Sequence, residues 1–179
     1  MEFNFPVDQI PRNGKRVEDT LTRAWMGFAL GKRMRPLEDE TPIALKLERQ
    51  DTNVTIDGDF LLKYEYDCSR CAEAQQTSID VGVHLAFVQG DEDADDLVVD
   101  GWGLGSGREL VFYKGPIVNA EDAIIEQIVF ALPHFPLCRD ECAGVCVDCG
   151  ANQNEKTCDC AEKRVDLRFS QLADLKLGG

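Results

Sequence analysis

The chain has 179 residues, 44% of them hydrophobic, which is enough for a hydrophobic core that folds without disulfide bonds. A net charge of -14 gives an average surface that repels phosphate and anionic lipid, which argues against nonspecific binding to nucleic acid or membranes. The sequence has no long apolar run and no signal-peptide pattern at residues 1–16. We therefore expect a cytoplasmic protein whose eight cysteines stay reduced.

A short strand and a helix are the first elements predicted along the chain. The segment EFNFPVDQI alternates apolar and polar residues, although Pro6 restricts such a strand to an edge or an end. Apolar residues at helical spacing then run from Val17 to Leu30, with acidic residues in the first turn and Gly31 as a stop signal. This pattern predicts a helix over residues 17–30.

Several strands and a second helix are predicted next. The segments PIALKLER, NVTIDGDFLLKYEYD and SIDVGVHLAFV are rich in strand formers, and they predict an antiparallel meander. The acidic run at residues 91–100 should be a solvated loop, and ELVFY at residues 109–113 another strand. A helix is expected from a cap at Asn119 to about Leu132, where Pro133 ends it.

The C-terminal part differs in composition. Residues 138–179 are rich in cysteine, glycine and polar residues, with too few large apolar side chains for a hydrophobic core. We therefore predict an α+β fold in two parts. Residues 1–137 form a domain with an antiparallel β-sheet (meander) and packed helices, and residues 138–179 form a small Cys-rich zinc-binding module with a C-terminal tail.

Four C-terminal cysteines have the spacing of a metal site. Cys146 and Cys149 form a C-x2-C pair followed by Gly150, and Cys158 and Cys160 form a C-x-C pair. Four thiolates bind zinc tetrahedrally, and a tight turn lets both sulfurs of a C-x2-C pair reach one ion. The free energy of zinc binding, roughly 10 to 16 kcal/mol in small peptides, is enough to fold a module without a core.

The other four cysteines fall into two pairs that are distant in sequence. Cys68 and Cys71 lie where a hairpin turn is predicted, and Cys138 and Cys142 follow the second helix. Together they would form a second four-thiolate site, giving two zinc ions per chain. Two alternatives stay open. Cys68 and Cys71 could be reduced thiols or a redox pair, or a single site could draw on Cys138 or Cys142 with His134 as a nitrogen ligand.

A basic window lies near the N-terminus. Residues 11–36 hold seven basic residues against two acidic ones, together with Trp25 and Phe28. An RNA surface needs cations and stacking aromatics, so this window is the candidate RNA-binding surface. Its predicted contacts are Arg12, Lys15, Arg16, Lys32, Arg33 and Arg35. The alternative is that the aromatics belong to the core and the cations form a solvated face.

The order of these motifs resembles a known family. YDCSRCAE, then LPHFPLCRDECAGVCVDCGANQNEKTCDC, then the tail VDLRFSQLADL resemble the bacterial YceD-like family, the large ribosomal RNA subunit accumulation proteins. The chain departs from the family pattern at Val145, Gln153 and Leu167, none of which is a cysteine. The resemblance implies a non-enzymatic, zinc-stabilised factor in ribosomal RNA accumulation or ribosome assembly. Its implied partners are ribosomal RNA or large-subunit assembly intermediates and proteins, with no membrane and no small-molecule substrate.

Enzymatic chemistry has little support in the sequence. The glycines of GWGLGSGREL do not match a phosphate-binding fingerprint, and no zinc-protease, nucleophile-elbow or Walker motif occurs. A redox function is the alternative: Cys68 and Cys71 could exchange as a dithiol, or the C-terminal cysteines could hold an iron–sulfur cluster.

Overall fold

The structure is a computed structural model that describes residues 3–90 and 107–160. Its strands and helices are β1 (Asn4–Pro6), β2 (Lys15–Thr22), α1 (Arg23–Leu30), β3 (Met34–Pro36), β4 (Glu40–Gln50), β5 (Asn53–Asp67), β6 (Ala74–Gln89), β7 (Glu109–Tyr113), β8 (Ile117–Asn119) and α2 (Glu121–Ala131). The predicted α+β class is therefore confirmed. The predicted acidic loop at residues 91–100 and the tail that follows residue 160 lie outside the described residues.

The chain divides into two compact units. The first consists of Met1–Tyr66 and Gln76–His134, and it contains the sheets and both helices named above. The second consists of Asp67–Gln75 and Phe135–Gly179, and it contains all eight cysteines. The domain boundary expected after residue 137 stays a prediction.

Most strands of the first unit form a six-stranded sheet. Its order is β2-β4-β5-β6-β7, and β3 pairs with β5 away from this path. β2, β3 and β4 are each antiparallel to their partner, whereas β6 and β7 pair in parallel. β1 and β8 form a separate two-stranded sheet, with Phe5 opposite Val118. The predicted meander corresponds to the consecutive neighbours β4, β5 and β6.

The core lies on one face of the large sheet. Alternate residues of β4 are buried, namely Ile43, Leu45 and Leu47, and alternate residues of β6 from Val81 to Phe87 are buried as well. Successive side chains of a strand point to opposite faces, so this alternation places one face of each strand in the core. Helices α1 and α2 add further residues to the cluster, including Trp25 and Ile128.

The helix predicted over residues 17–30 is half wrong. Residues 15–22 form β2, which pairs with β4 along its full length, and only Arg23–Leu30 are helical. Val17 and Leu21 are four positions apart, and four is an even number, so they share a face in a strand as well as in a helix. The predicted stop at Gly31 is correct, since this residue ends α1 with φ of 71°.

Helix α2 begins and ends close to the predicted positions. The Asn119 side chain accepts a hydrogen bond from the Glu121 N–H at 2.9 Å, although Ala120 is the residue at the N-cap position. Glu121 and Asp122 lie in the first turn, where negative charge stabilises the N-terminus of a helix. Neither α1 nor α2 has the length and apolar composition that crossing a lipid bilayer requires.

Candidate metal centres

The second unit brings its eight cysteines together in two groups of four. The first group is Cys68, Cys71, Cys138 and Cys142, and the second is Cys146, Cys149, Cys158 and Cys160. We call them the first and the second centre. Their members are the same as those of the two sets paired in the sequence analysis, and either group could hold a metal ion. That these cysteines bind metal stays a prediction.

The two C-x2-C loops, Cys68–Cys71 and Cys146–Cys149, have the same backbone geometry. In each, the residue after the second cysteine donates its N–H to the carbonyl of the first, at 2.9 Å from Ala72 and 2.8 Å from Gly150. These two residues have positive φ, 60° and 72°. The first cysteine of each loop also donates its N–H to the carbonyl five residues on, at 2.9 and 2.8 Å. Such a tight turn lets both sulfurs face one ion.

The sulfur positions fit one tetrahedral ion in each centre. All four Sγ atoms of a centre lie within 4.8 Å of one another. In the first centre, the Sγ atoms of Cys68 and Cys142 are 3.8 Å apart and those of Cys71 and Cys138 are 3.7 Å apart. A tetrahedral zinc ion with Zn–S bonds of about 2.3 Å separates its sulfurs by about 3.8 Å. A disulfide needs about 2.0 Å, and all eight cysteines are free thiols.

Two thiols of the first centre have pKa values shifted in opposite directions. Burial raises the pKa of the Cys68 thiol, but backbone N–H groups of Cys71 and Arg70 stabilise its thiolate more strongly, and the pKa falls to about 6. Burial and the neighbouring Cys142 sulfur raise the pKa of Cys138 to about 12. One sulfur therefore ionises readily while another is held protonated, because adjacent thiolates repel each other unless a cation neutralises them.

The second centre repeats this contrast. The backbone N–H of Cys149 is the largest influence on the pKa of Cys146, which falls to about 7. The neighbouring Cys149 sulfur raises the pKa of Cys160 to about 12. A divalent ion bound here would supply the positive charge that lets four such sulfurs ionise together, since a thiol that coordinates a metal is deprotonated.

Within residues 67–75 and 135–160, the second unit has few apolar side chains that could form a core. Its hydrophobic cluster within the described residues consists of Cys68, Cys71 and Cys142, with Leu137 and Cys138 packed against them. The prediction that this region lacks an apolar core agrees with this composition. Metal binding would supply the free energy of folding that apolar burial does not.

Neither histidine of the chain belongs to one of the two centres, and both are exposed. The two centres consist of cysteines alone, so the alternative of a single site completed by His134 has no support in the geometry. His134 is exposed, at the end of the first unit. His84 is also exposed on β6, and its Nδ1 lies 3.2 Å from Asp57 Oδ1.

The predicted RNA-binding residues are all exposed, and three of the arginines form ion pairs. Arg12 pairs with Asp51 at 3.2 Å and Arg16 with Glu18 at 2.8 Å. Arg35 likewise pairs with Glu65 at 2.9 Å. The other three predicted residues are Lys15, Lys32 and Arg33. The aromatics of this window separate: Trp25 is buried and donates its indole N–H to Glu121 at 2.9 Å, while Phe28 is 76% exposed.

The strand register places these basic residues in two clusters. Lys15 is opposite Leu47, which is opposite Ile56 of β5, whereas Arg35 is opposite Glu65 of the same strand. Nine residues of strand correspond to about 30 Å. The cations before and within β2 are therefore separated by about 30 Å along the sheet from those around β3.

Two asparagines of the second unit form structural hydrogen bonds that could not be predicted from the sequence. The Asn154 Nδ2 donates to the Cys142 sulfur at 3.4 Å, and the Asn152 Nδ2 donates to Glu73 at 3.3 Å. Their hydrogen bonds connect segments distant in sequence and follow only from the folded arrangement.

Comparison with known proteins gives several matches. The profile of the family "Large ribosomal RNA subunit accumulation protein YceD" matches residues 56–176. An Arabidopsis thaliana protein named large ribosomal RNA subunit accumulation protein YCED homolog 1, chloroplastic, is 24% identical over 172 residues, covering 84% of this chain and 54% of that protein. An uncharacterized Mycobacterium leprae protein is 27% identical over 116 residues, covering 60% of this chain and 46% of its own length.

These relatives are longer than the chain. An uncharacterized protein of Mycobacterium tuberculosis is 22% identical over 131 residues, covering 73% of this chain and 59% of its own length. The chain thus spans about half the length of the curated relatives it matches. No solved structure matches it. Because the family profile covers well over half of its residues, and the cysteines of both centres with them, the chain belongs to the YceD family of large ribosomal RNA subunit accumulation proteins.

Proposed function

We propose that the chain is a non-enzymatic factor in the accumulation of large-subunit ribosomal RNA, acting during ribosome assembly in the bacterial cytoplasm and stabilised by two zinc ions. The observation that carries this proposal is the family match over residues 56–176, which includes both cysteine centres. The cytoplasm suits such a protein because its thiols stay reduced there.

Zinc is the proposed ion for both centres. The eight proposed ligands are Cys68, Cys71, Cys138 and Cys142 in the first centre and Cys146, Cys149, Cys158 and Cys160 in the second. Sulfur separations of 3.7 and 3.8 Å support a single tetrahedral ion in the first centre. Zinc bound in the first centre would crosslink the C-x2-C loop that follows β5 to the segment that follows α2.

A structural role for the metal supports a binding factor rather than a catalyst. A zinc ion with four thiolate ligands has no open position for water or substrate, so it supplies folding free energy and not Lewis-acid chemistry. The proposed activity is therefore recognition of ribosomal RNA or of large-subunit assembly intermediates and their proteins.

The proposed RNA contacts are the two exposed basic clusters of the first unit. The first cluster is Arg12, Lys15 and Arg16, and the second is Lys32, Arg33 and Arg35. The exposed Phe28 lies on α1, shortly before the second cluster, and offers an aromatic face for stacking. The second cluster is therefore the stronger candidate for contact with single-stranded RNA.

Crosslinking in cells tests this function. Bound RNA is recovered after ultraviolet crosslinking and sequenced, and the ratio of large-subunit to small-subunit ribosomal RNA is measured after depletion of the protein. We expect large-subunit RNA in the crosslinks and a lower ratio on depletion. An unchanged ratio would refute the function, and partner proteins recovered without ribosomal RNA would refute RNA contact.

Charge reversals locate the contact. The triple variant K32E/R33E/R35E should lose most of the crosslink to RNA, while R12E/K15E/R16E, which reverses the same number of charges in the cluster without a neighbouring exposed aromatic residue, should lose less of it. Equal loss in both variants would indicate a general electrostatic effect and not the proposed stacking surface.

A further inference from the structure

Asn154 lies in the segment that the second centre closes. This segment runs from Cys149 to Cys158, and within it the Asn152 carbonyl accepts hydrogen bonds from the N–H groups of Glu155 and Lys156, at 3.1 and 3.0 Å. The Asn152 side chain also accepts from the Asn154 backbone N–H at 3.0 Å. The position of Asn154 is therefore set by a turn whose two ends carry ligands of the second centre.

The Asn154 side chain, however, contacts the first centre. Its Oδ1 accepts from the Ala143 N–H at 2.8 Å and from the Arg139 guanidinium at 2.7 Å. Its Nδ2 donates to the Cys142 Sγ at 3.4 Å and to the Asn152 Oδ1 at 2.8 Å. Both partners of Oδ1 are obligate donors, so the orientation of the amide follows from its neighbours, and an N–H must face the sulfur.

Backbone hydrogen bonds connect the chain between Cys142 and Cys146 both to the first C-x2-C loop and to the segment that holds Asn154. The Val145 N–H donates to the carbonyl of Arg70, inside the first C-x2-C loop, at 3.0 Å. The Gln153 N–H donates to the Gly144 carbonyl at 2.8 Å, and Val145 forms a bridge with Asn152. The loop of the second centre is thus held directly against the chain that carries Cys142.

This arrangement links the loop of the second centre to a ligand of the first. An N–H directed at a ligating sulfur stabilises the thiolate, and loss of such a partner typically weakens metal binding 10- to 100-fold. Resting on the proposed zinc sites, we propose that Asn154 is a positioning residue through which metal in the second centre strengthens metal binding at the first. Coupling of binding free energies is reciprocal, so metal in the first centre strengthens the second by the same factor.

Site-resolved protection of the cysteines measures this coupling. The full chain is loaded with zinc, titrated with a chelator of known zinc affinity, alkylated with N-ethylmaleimide, and analysed by peptide mass spectrometry for each cysteine. We expect N154A to weaken zinc binding at the first centre by about 10- to 100-fold. Q153A, which changes the neighbouring exposed side chain of the same turn, should leave it unchanged.

Two further variants separate positioning from folding. N154D keeps the acceptor for Ala143 and Arg139 but removes both Nδ2 hydrogen bonds, the one to Cys142 and the one to Asn152, so it should weaken the first centre as N154A does. C160S removes a ligand of the second centre and should weaken the first by a similar factor in the parent chain. In the N154A background, C160S should have no further effect on the first centre.

The outcomes distinguish failure of the coupling through Asn154 from failure of the proposed zinc binding on which it rests. If zinc protects no cysteine of the parent chain, both are wrong. If zinc protects both centres but N154A or N154D leaves the first unchanged, the coupling alone is wrong. Additive effects of N154A and C160S would likewise overturn the coupling while leaving both zinc sites in place.

Discussion

The Sγ atoms of Cys71 and Cys138 lie 3.7 Å apart although the two residues are 67 positions apart in the chain. The first centre therefore closes a long loop, whereas the second centre closes only a short segment. A crosslink across a long loop restricts the unfolded chain more than one across a short loop, although the dependence on length is weak. Metal at the first centre should for this reason contribute to the stability of the chain beyond its local contacts.

Loss of one ligand should empty one centre only. Cys68→Ser removes a ligand of the first centre, so elemental analysis should find one zinc per chain, held by the second centre. Cys146→Ser is the matched change in the second C-x2-C loop and should also leave one zinc. Loss of both ions in either single variant would contradict two separate ligand sets.

Gly144 lies where a side chain has no room. Its φ is 78°, and a Cβ at this position would approach the Arg70 carbonyl oxygen to 3.1 Å. Gly144→Ala should lower the free energy of unfolding by about 2 kcal/mol, from backbone strain and this close contact. Gly150 has a similar φ of 72°, but the space that a Cβ would occupy there is open. Gly150→Ala should therefore lower the free energy of unfolding by only about 1 kcal/mol. Denaturant unfolding of the zinc-loaded chain measures both, and equal losses would contradict the role of the contact.

Asp57 should make stability depend on pH at the acid end. Burial raises the pKa of Asp57, but hydrogen bonds from Arg108 at 3.1 and 2.8 Å and from His84 outweigh it, so the pKa lies below its ordinary value of 3.8. A depressed carboxyl pKa contributes stability that is fully present above the unfolded value and is lost as pH falls through the folded one.

The variant that tests this is Asp57→Asn. It should destabilise the chain by about 1 kcal/mol at neutral pH, since the pair is partly exposed, and the difference should shrink below about pH 4 as the parent carboxyl is protonated. Asp59→Asn, on the same strand and exposed, is the control and should change little. A difference for Asp57→Asn that does not vary with pH would argue against the ion pair as its cause.

The two aromatic residues of α1 should respond oppositely to truncation. Trp25 is buried against Phe3, with ring centroids 5.5 Å apart, so Trp25→Ala should cost about 3 to 5 kcal/mol of stability. Phe28 is 76% exposed, so Phe28→Ala should change stability by less than about 0.5 kcal/mol. Phe28→Ala should instead weaken crosslinking to RNA in cells, and unchanged crosslinking would remove this residue from the proposed surface.

Part of the fold could be predicted because local patterns were unambiguous. The segment NVTIDGDFLLKYEYD corresponds to β5 from end to end, since its β-branched and aromatic residues leave no helical alternative. The helix predicted from Val17 failed because a spacing of four residues fits both a strand and a helix. The parallel pairing of β7 with β6 is a tertiary choice that the five residues of ELVFY do not encode.

The two cysteine centres could be predicted from the sequence to different degrees. The second centre follows from spacing, because its four cysteines lie close together in sequence. The first centre could be proposed only by pairing the cysteines that remain. Its geometry depends on contact between the loop that follows β5 and the segment that follows α2, which are distant in sequence. The contact of Asn154 with Cys142 joins two loops that share no sequence pattern, so only the folded arrangement shows it.

Metal content is the most direct test of the central claim, that two four-cysteine zinc centres stabilise this YceD-family chain. The chain is purified anaerobically without chelator, and its metals and protein are quantified by mass spectrometry and amino-acid analysis. We predict close to two zinc per chain with no visible absorption. Protein without metal, or brown protein that contains iron and sulfide, would contradict the claim.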